Sequence, residues 1–208
     1  MHRRPDWNHY SYVYGEDQAA RVEFDVEAAA LPTDPALQGL RFVIDEANEE
    51  ALLELLAPVD GLHVGRLCYQ GQCEHVLQAS ADVDLPTAAI EALGGAIQRT
   101  SGWDYFNDRV CPQPADWRRI EDREALERLD LDGDGELRVL HRFYGDAKDL
   151  DTIGGRLEPE GFEEVERTDD RLTLAHLHPI GDISRITVGL LRLCERGGVA
   201  YDGWVLPG

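Results

Sequence analysis

Lysine is nearly missing from this chain of 208 residues: Lys148 stands alone among 20 basic residues, the rest being arginine. Basic charge of either kind is scarce, because 41 acidic residues leave a formal net charge of −21. The acidity runs along the whole chain and is not gathered in a tail. A surface this negative repels phosphate backbones and acidic membranes, so no direct nucleic-acid or membrane binding is expected, whereas a basic protein segment is attracted. Long apolar runs are absent as well, and none approaches the roughly twenty residues of a membrane span. The opening Met1-His-Arg-Arg-Pro-Asp-Trp7 has no apolar stretch behind its arginines and does not read as a secretory signal. Four cysteines are too few for a disulfide scaffold, which points to the cytosol. What is present, 43% apolar and 29% charged residues, is the composition of an ordinary soluble folded chain rather than a disordered one.

Cys111-Pro-Gln-Pro-Ala-Asp116 is the sharpest punctuation in the sequence, with two prolines that favour an extended connector. It predicts a boundary near residues 112–121, between domains at 1–115 and 122–208. In the first, alternating patterns around Tyr10 to Tyr14 and Arg21 to Val26 predict an opening hairpin. After it come a strand at 40–44, a helix at 46–57, strands at 62–69 and 73–79, a short helix at 86–94 and a strand at 96–101. In the second, a helix at 122–129 precedes a strand at 137–143, a helix at 146–157 and strands at 162–167 and 171–178. The stripe Ile183, Ile186, Leu190, Leu193 marks a helix at 182–196, stopped by Gly197-Gly198, with a last strand at 199–206. Both halves thus show strand, helix, strand, strand, helix, strand. The expected fold class is α+β: two tandem ferredoxin-like (βαββαβ) units with mainly antiparallel sheets and helices on one face.

Four strings carry candidate chemistry. Asp130-Leu-Asp132-Gly-Asp134-Gly135 resembles the start of a calcium-binding EF-hand loop, but His141 stands where the bidentate Glu belongs, and residues 137–143 alternate as a strand. An acidic turn is the expected reading, and neither a metal nor a cofactor is expected. Cys68-Tyr-Gln-Gly-Gln-Cys73 is a redox or metal pair in form; a two-residue Gln70-Gly71 loop sets Cys68 opposite Cys73. A reducing cytosol favours two free thiols there, and Cys111 and Cys194 are isolated. His141, His176 and His178 fall on adjacent strands, as a base or metal cluster, a ligand cleft at the domain boundary, or core histidines. Tyr201-Asp202-Gly203-Trp204 is the most unusual string. Strict alternation sends Tyr201 and Trp204 to opposite faces, one of them available to a protein partner or to another layer.

The helix ending in Gly197-Gly198 and followed by Val199-Ala-Tyr-Asp-Gly-Trp204 resembles the regulator of ribonuclease activity B family. His141-Arg-Phe-Tyr144 and Gly161-Phe162 are similar to the same family, over roughly residues 122–206. Trp7-Asn-His-Tyr10, Trp103-Asp-Tyr-Phe106 and Cys111-Pro112 resemble a bacterial domain family of unknown function often found before it. The resemblance implies a bacterial, acidic, non-catalytic protein; the family's type member binds ribonuclease E on its scaffold part and lowers its activity. This chain departs from the type member in carrying a whole N-terminal domain and in ending at Pro207-Gly208 without a long acidic tail.

The expected function is therefore an acidic, non-catalytic protein-binding module for a partner with a basic segment, a ribonuclease among the candidates, with Tyr201 to Trp204 at the contact. The competing expectation is a hydrolase or small-ligand binder using a cleft with His141, His176 and His178. No phosphate-cradling glycine loop, nucleophile elbow or paired-histidine zinc helix supports the enzyme reading.

Overall fold

A computed structural model describes residues 7–14, 18–30, 34, 36–131 and 135–208. The chain divides into two units, Met1–Pro112 and Gln113–Gly208. The class is mixed α+β, with two antiparallel sheets. No helix among the described residues is long and apolar enough to cross a membrane.

The first unit opens with strands β1 (Trp7–Tyr14) and β2 (Gln18–Asp25) and the short helix α1 (Val26–Ala30). Strand β3 (Leu37–Asp45) leads through a 3-10 turn into α2 (Glu49–Leu56), with the Asp45 carboxylate accepting from the Ala47 N–H at 3.0 Å. Strands β4 (Gly61–Tyr69) and β5 (Gln72–Ser80) follow, then α3 (Thr87–Ala92), β6 (Ala96–Thr100) and α4 (Asp104–Arg109). The sheet order is β1-β2-β4-β5-β3-β6, with every adjacent pair antiparallel. The β4–β5 hairpin is set by its loop. Gln70 and Gly71 both take positive φ, 51° and 76°, the primed turn that matches the twist of the flanking strands. On one face Leu52 and Leu56 of α2 and Ile90 of α3 cover Leu40, Phe42, Ile44 and Leu77. Each such side chain contributes roughly 1.5–3 kcal/mol by leaving water.

The other face is covered too, which corrects the expectation of helices on one side only. Arg41 and Glu74, on the face opposite Phe42 and His75, meet Tyr105 of α4, and the Tyr10 hydroxyl donates to the Val110 carbonyl at 2.9 Å. A sheet of six strands has two apolar faces to bury; Trp103, Phe106 and Val110 meet that need with a helix that the alternating pattern did not signal. Gly65 is the close-contact point, because a Cβ there falls 2.2 Å from Val110 Cγ1. Gly65→Ala is accordingly expected to lower stability by about 1–3 kcal/mol, read from the urea midpoint; an unchanged midpoint would mean that α4 yields freely.

The second unit starts with α5 (Pro114–Arg128), which occupies most of the stretch expected as an extended linker. Pro114 suits the first helical turn, where its missing N–H has no partner to lose. The Gln113 N–H donates to Asp116 Oδ2 at 3.1 Å, closing the start of the helix. Then come β7 (Glu136–Tyr144), α6 (Ala147–Leu157), β8 (Glu163–Arg167), β9 (Arg171–Pro179), α7 (Ile183–Glu195) and β10 (Ala200–Val205), in the sheet order β10-β7-β9-β8. Leu150, Ile153 and Leu157 of α6, with Leu190 and Cys194 of α7, pack against Phe143, Leu172 and Leu174. Of the acidic string at 130–135, Asp132 to Asp134 lie outside the described residues; its would-be twelfth position, His141, is inside β7.

Candidate functional site

Within the first unit, charge and sulfur converge on Glu49, the first residue of α2. Antiparallel register puts Glu23 (β2) beside Arg66 (β4), Arg66 beside His75 (β5), and Arg21, Cys68 and Cys73 in the next row. All face α2. Arg66 grips the Glu49 carboxylate with two guanidinium nitrogens, Nη2 at 2.5 Å from Oε2 and Nε on Oε1, while its Nη1 donates to Glu23 Oε2 at 3.2 Å. This paired geometry is the strong form of an arginine–carboxylate contact. His75 Nε2 lies 2.9 Å from Glu49 Oε1, within ion-pair distance but off the line of a good hydrogen bond. His75 Nδ1 is 3.1 Å from His63 Nε2, which is also 3.1 Å from the Gly65 carbonyl.

Cys68 and Cys73 are joined in a disulfide with Cα atoms 4.2 Å apart. This corrects the expectation of free thiols, which rested on the strain of a cross-strand bridge and on the compartment; the hairpin register pairs Cys68 directly with Cys73. Cys73 is fully buried and Cys68 partly so. Arg66 Nη2 and Glu49 Oε2 each lie 3.8 Å from Cys73 Sγ. The two sulfurs and a Glu49 oxygen lie within 4.8 Å of one another, the one such three-residue donor group among the described residues. With the sulfurs bonded to each other and Glu49 held by Arg66, that donor set is closed.

Proton placement follows from which groups can only accept. The Gly65 carbonyl fixes a hydrogen on His63 Nε2, which His75 Nδ1 shares as acceptor; the His75 hydrogen is then on Nε2, on the side of the Glu49 carboxylate. His63 Nδ1 is then a bare lone pair. The His63 ring meets the Trp7 ring edge-on at 4.9 Å, and His63, His75, Arg66 and Glu49 together line a groove of about 400 Å³. Burial, then the neighbouring His75, holds the His63 ring down to about 3. Burial lowers His75 as well. For Glu49, burial opposes ionisation, but the Arg66 hydrogen bond and charge outweigh it and hold the carboxyl below its usual range.

The second unit builds a different chain. His141, His176 and His178 share the helix-covered face of β7 and β9. Tyr201 Oη is 2.8 Å from His141 Nδ1, His141 Nε2 is 2.7 Å from His178 Nε2, and His178 Nδ1 is 2.8 Å from His176 Nδ1. His176 Nε2 ends the chain at the Glu160 carbonyl, 3.1 Å away. A carbonyl cannot donate, so His176 carries a hydrogen on Nε2, and an order that satisfies every contact runs from the Tyr201 hydroxyl to Glu160. Burial, with His178 and His176 next to it, brings His141 down to about 3; burial and His176 bring His178 to about 4. Burial raises the Tyr201 hydroxyl far above its ordinary value. Both nitrogens of each ring are engaged. The arrangement is a lock between strands with no nitrogen left over for a substrate or an ion.

No protein-family model matches the chain, and no curated protein matches it either.

Tyr201-Asp202-Gly203-Trp204 takes a form that alternation did not foresee. Tyr201 pairs with Phe143, Gly203 with Arg142 and Trp204 with His141, so Asp202 is an extra, bulged residue. Gly203 sits at φ 91°, which a side chain resists. Phe143 and His141 share a face, hence so do Tyr201 and Trp204, and the expected opposite-facing pair is corrected. Trp204 Nε1 donates to Asp122 Oδ1 at 2.8 Å, and the same buried carboxylate accepts from the Thr187 hydroxyl and lies 3.3 Å from Arg118 Nε. The polar ends of Tyr201 and Trp204 are thus spent inside the unit, and Asp202 is the exposed member of the string.

Glu23, Glu49, Arg66 and His75 escaped sequence reading. A signal existed: once Cys68 faces Cys73, the same register puts Arg66 opposite His75, two polar residues on a face otherwise meant for the core. Only Glu49, arriving from a helix, had no local trace.

Proposed function

We propose that this chain is an acidic, non-catalytic protein-binding module of the cytosol, built from two ferredoxin-like units, whose partner presents an extended segment rich in arginine or lysine. The observation that carries the reading is β8. It is the terminal strand of its sheet, all five of its residues are exposed, and Glu163, Glu164 and Glu166 are three of them. Glu158, Glu160, Asp169 and Asp170 are exposed on either side of it in sequence. An edge strand offers main-chain donors and acceptors to an added strand, and the carboxylates select for basic side chains. The ion pairs of Glu163 with Arg138, Glu164 with Arg167 and Glu166 with Arg171 are exposed surface pairs of small worth, which an incoming basic segment can exchange. In the first unit, β6-β3-β5-β4 has the same chain-order pattern as β10-β7-β9-β8, first strand inside and last at the edge, which supports the ferredoxin-like assignment of both units. The resemblance to the regulator of ribonuclease activity B family narrows the partner to the basic scaffold of an RNA-degrading assembly.

A fluorescent arginine-rich peptide titrated with the whole protein tests this. Affinity is expected to fall at least about tenfold between 0.05 M and 0.5 M salt, where screening shortens to a few ångströms. Glu163→Lys, Glu164→Lys and Glu166→Lys combined should weaken binding by a comparable factor while the melting temperature holds. Affinity indifferent to salt, or unchanged in the triple variant, would overturn the docking surface.

A further inference from the structure

The hairpin disulfide has little structural work to do. It joins residues five apart on strands that are already laddered along their length, so the loop that it closes is short and the order that it adds is small. Its surroundings, by contrast, are those of a reacting centre: a guanidinium and a carboxylate against the buried sulfur, with that carboxylate, the guanidinium and two histidines lining an open groove. We propose that Cys68 and Cys73 form a reversible thiol–disulfide exchange site, with Glu49, on the wall of the groove, managing the proton of Cys73.

The chemistry balances with a dithiol as the reductant. Cys68 is the less buried of the two cysteines, with Arg21, which is paired with Glu23, beside it on β2. One thiolate of the dithiol attacks Cys68 Sγ; the Cys68–Cys73 bond breaks, and Cys73 leaves with the bonding pair. The second thiolate attacks the dithiol's own sulfur in the mixed disulfide and releases Cys68. Two electrons pass to the protein and the dithiol becomes a disulfide. The Cys73 thiolate forms beside Arg66, whose positive charge favours it, and takes a proton through Glu49, which regains it from water in the groove; Cys68 is protonated from solvent. Oxidation by a disulfide runs the same steps backward, with Glu49 Oε2 as the base for the Cys73 thiol. The groups facing Glu49 are Arg66 on β4 and His75 and Cys73 on β5, with Glu23 on β2 reaching it through Arg66, so replacing the carboxyl group changes the proton step while the sulfur pair stays in place.

The test reduces the folded, full-length protein with millimolar dithiothreitol, reoxidises it with glutathione disulfide, and follows Cys68 and Cys73 by alkylation and peptide mapping. Near-UV circular dichroism reports that the fold persists. The pair is expected to open and close reversibly in the native state. In Glu49→Gln, ring closure should slow about a hundredfold, the scale of a lost general base, and its rate should follow plain thiol ionisation as pH rises. Should Glu49→Gln fail to fold, Glu49→Asp, which draws the carboxylate back from Cys73 and keeps its charge, should slow closure and displace the pH profile in the same direction. A pair that resists reduction until the protein unfolds overturns the proposal. Closure rates and pH profiles identical to wild type in a folded variant do so equally.

Discussion

Lowering the pH from 6.5 to 5 is expected to cost the second unit about 3 kcal/mol of stability. His141 and His178 are buried neutral, at about 3 and about 4, whereas an unfolded histidine titrates at its ordinary 6.5. Above pH 6.5 neither state holds the extra proton, so the full stability is present. Below it the unfolded chain binds protons that the folded one refuses, and stability falls by about 1.4 kcal/mol per pH unit for each ring until the folded values are reached. The loss is more than a proton count. Every nitrogen in the chain from Tyr201 to Glu160 is committed to one direction, so an added proton sets two donors against each other. His63, at about 3, adds about 2 kcal/mol in the first unit over the same window. Urea unfolding at pH 7, 6 and 5, with fluorescence and circular dichroism compared, measures this directly. Midpoints that stay level across that range would show that the rings carry charge in the native state.

Asp122→Ala is expected to destabilise the second unit by about 3–5 kcal/mol. Its carboxylate is wholly buried on α5 and accepts from Trp204 on β10 and Thr187 on α7, with Arg118 3.3 Å away. Alanine leaves the Trp204 indole N–H without its acceptor, turns the Thr187 hydroxyl back on the Ser184 carbonyl, and takes from Arg118 its buried counter-charge, leaving it the exposed Glu121. Asn at this position retains one acceptor oxygen and should lose about 1.5–3 kcal/mol, the scale of a hydrogen bond to a charged group. Trp204→Phe removes the indole donor but keeps much of the ring area. Combined with Asp122→Ala it should cost less than the sum of the two, because the second change deletes a partner already stranded. A loss under about 1 kcal/mol for Asp122→Ala would mean that water reaches the site and that β10 is not tied to α5 through this carboxylate.

The two histidine chains differ in a way that separates architecture from chemistry. In the second unit the chain begins at a buried hydroxyl and ends at a main-chain carbonyl, and it holds β10, β7, β9 and the turn before β8 in one register. In the first it begins at a carboxylate beside a disulfide and ends at a ring on a groove. Only the chain of the first unit runs along a groove; that of the second closes on the main chain.

Much of the element order was legible residue by residue. The stripes Leu150, Ile153, Leu157 and Ile183, Ile186, Leu190 announce helices because a helix repeats every 3.6 residues, and Gln70-Gly71 announces a hairpin because few loops tolerate two positive φ angles. The class followed, since these signals depend on neighbours a few positions away. The start of α5 was misread for a local reason, as proline ends one helix and begins another with the same fixed φ.

Other features depend on partners far off in sequence, and no local pattern reports them. Asp202 is a bulge because β10 must keep Trp204 on the side of Asp122, 82 positions earlier. Glu49 is a hub because α2 lays its first turn over Arg66 and His75, and Cys68 and Cys73 are bonded because the hairpin holds them opposite each other, whatever the compartment suggested. Periodicity comes from the geometry of a single segment, whereas a buried charge is tolerated only where several segments arrive together to satisfy it.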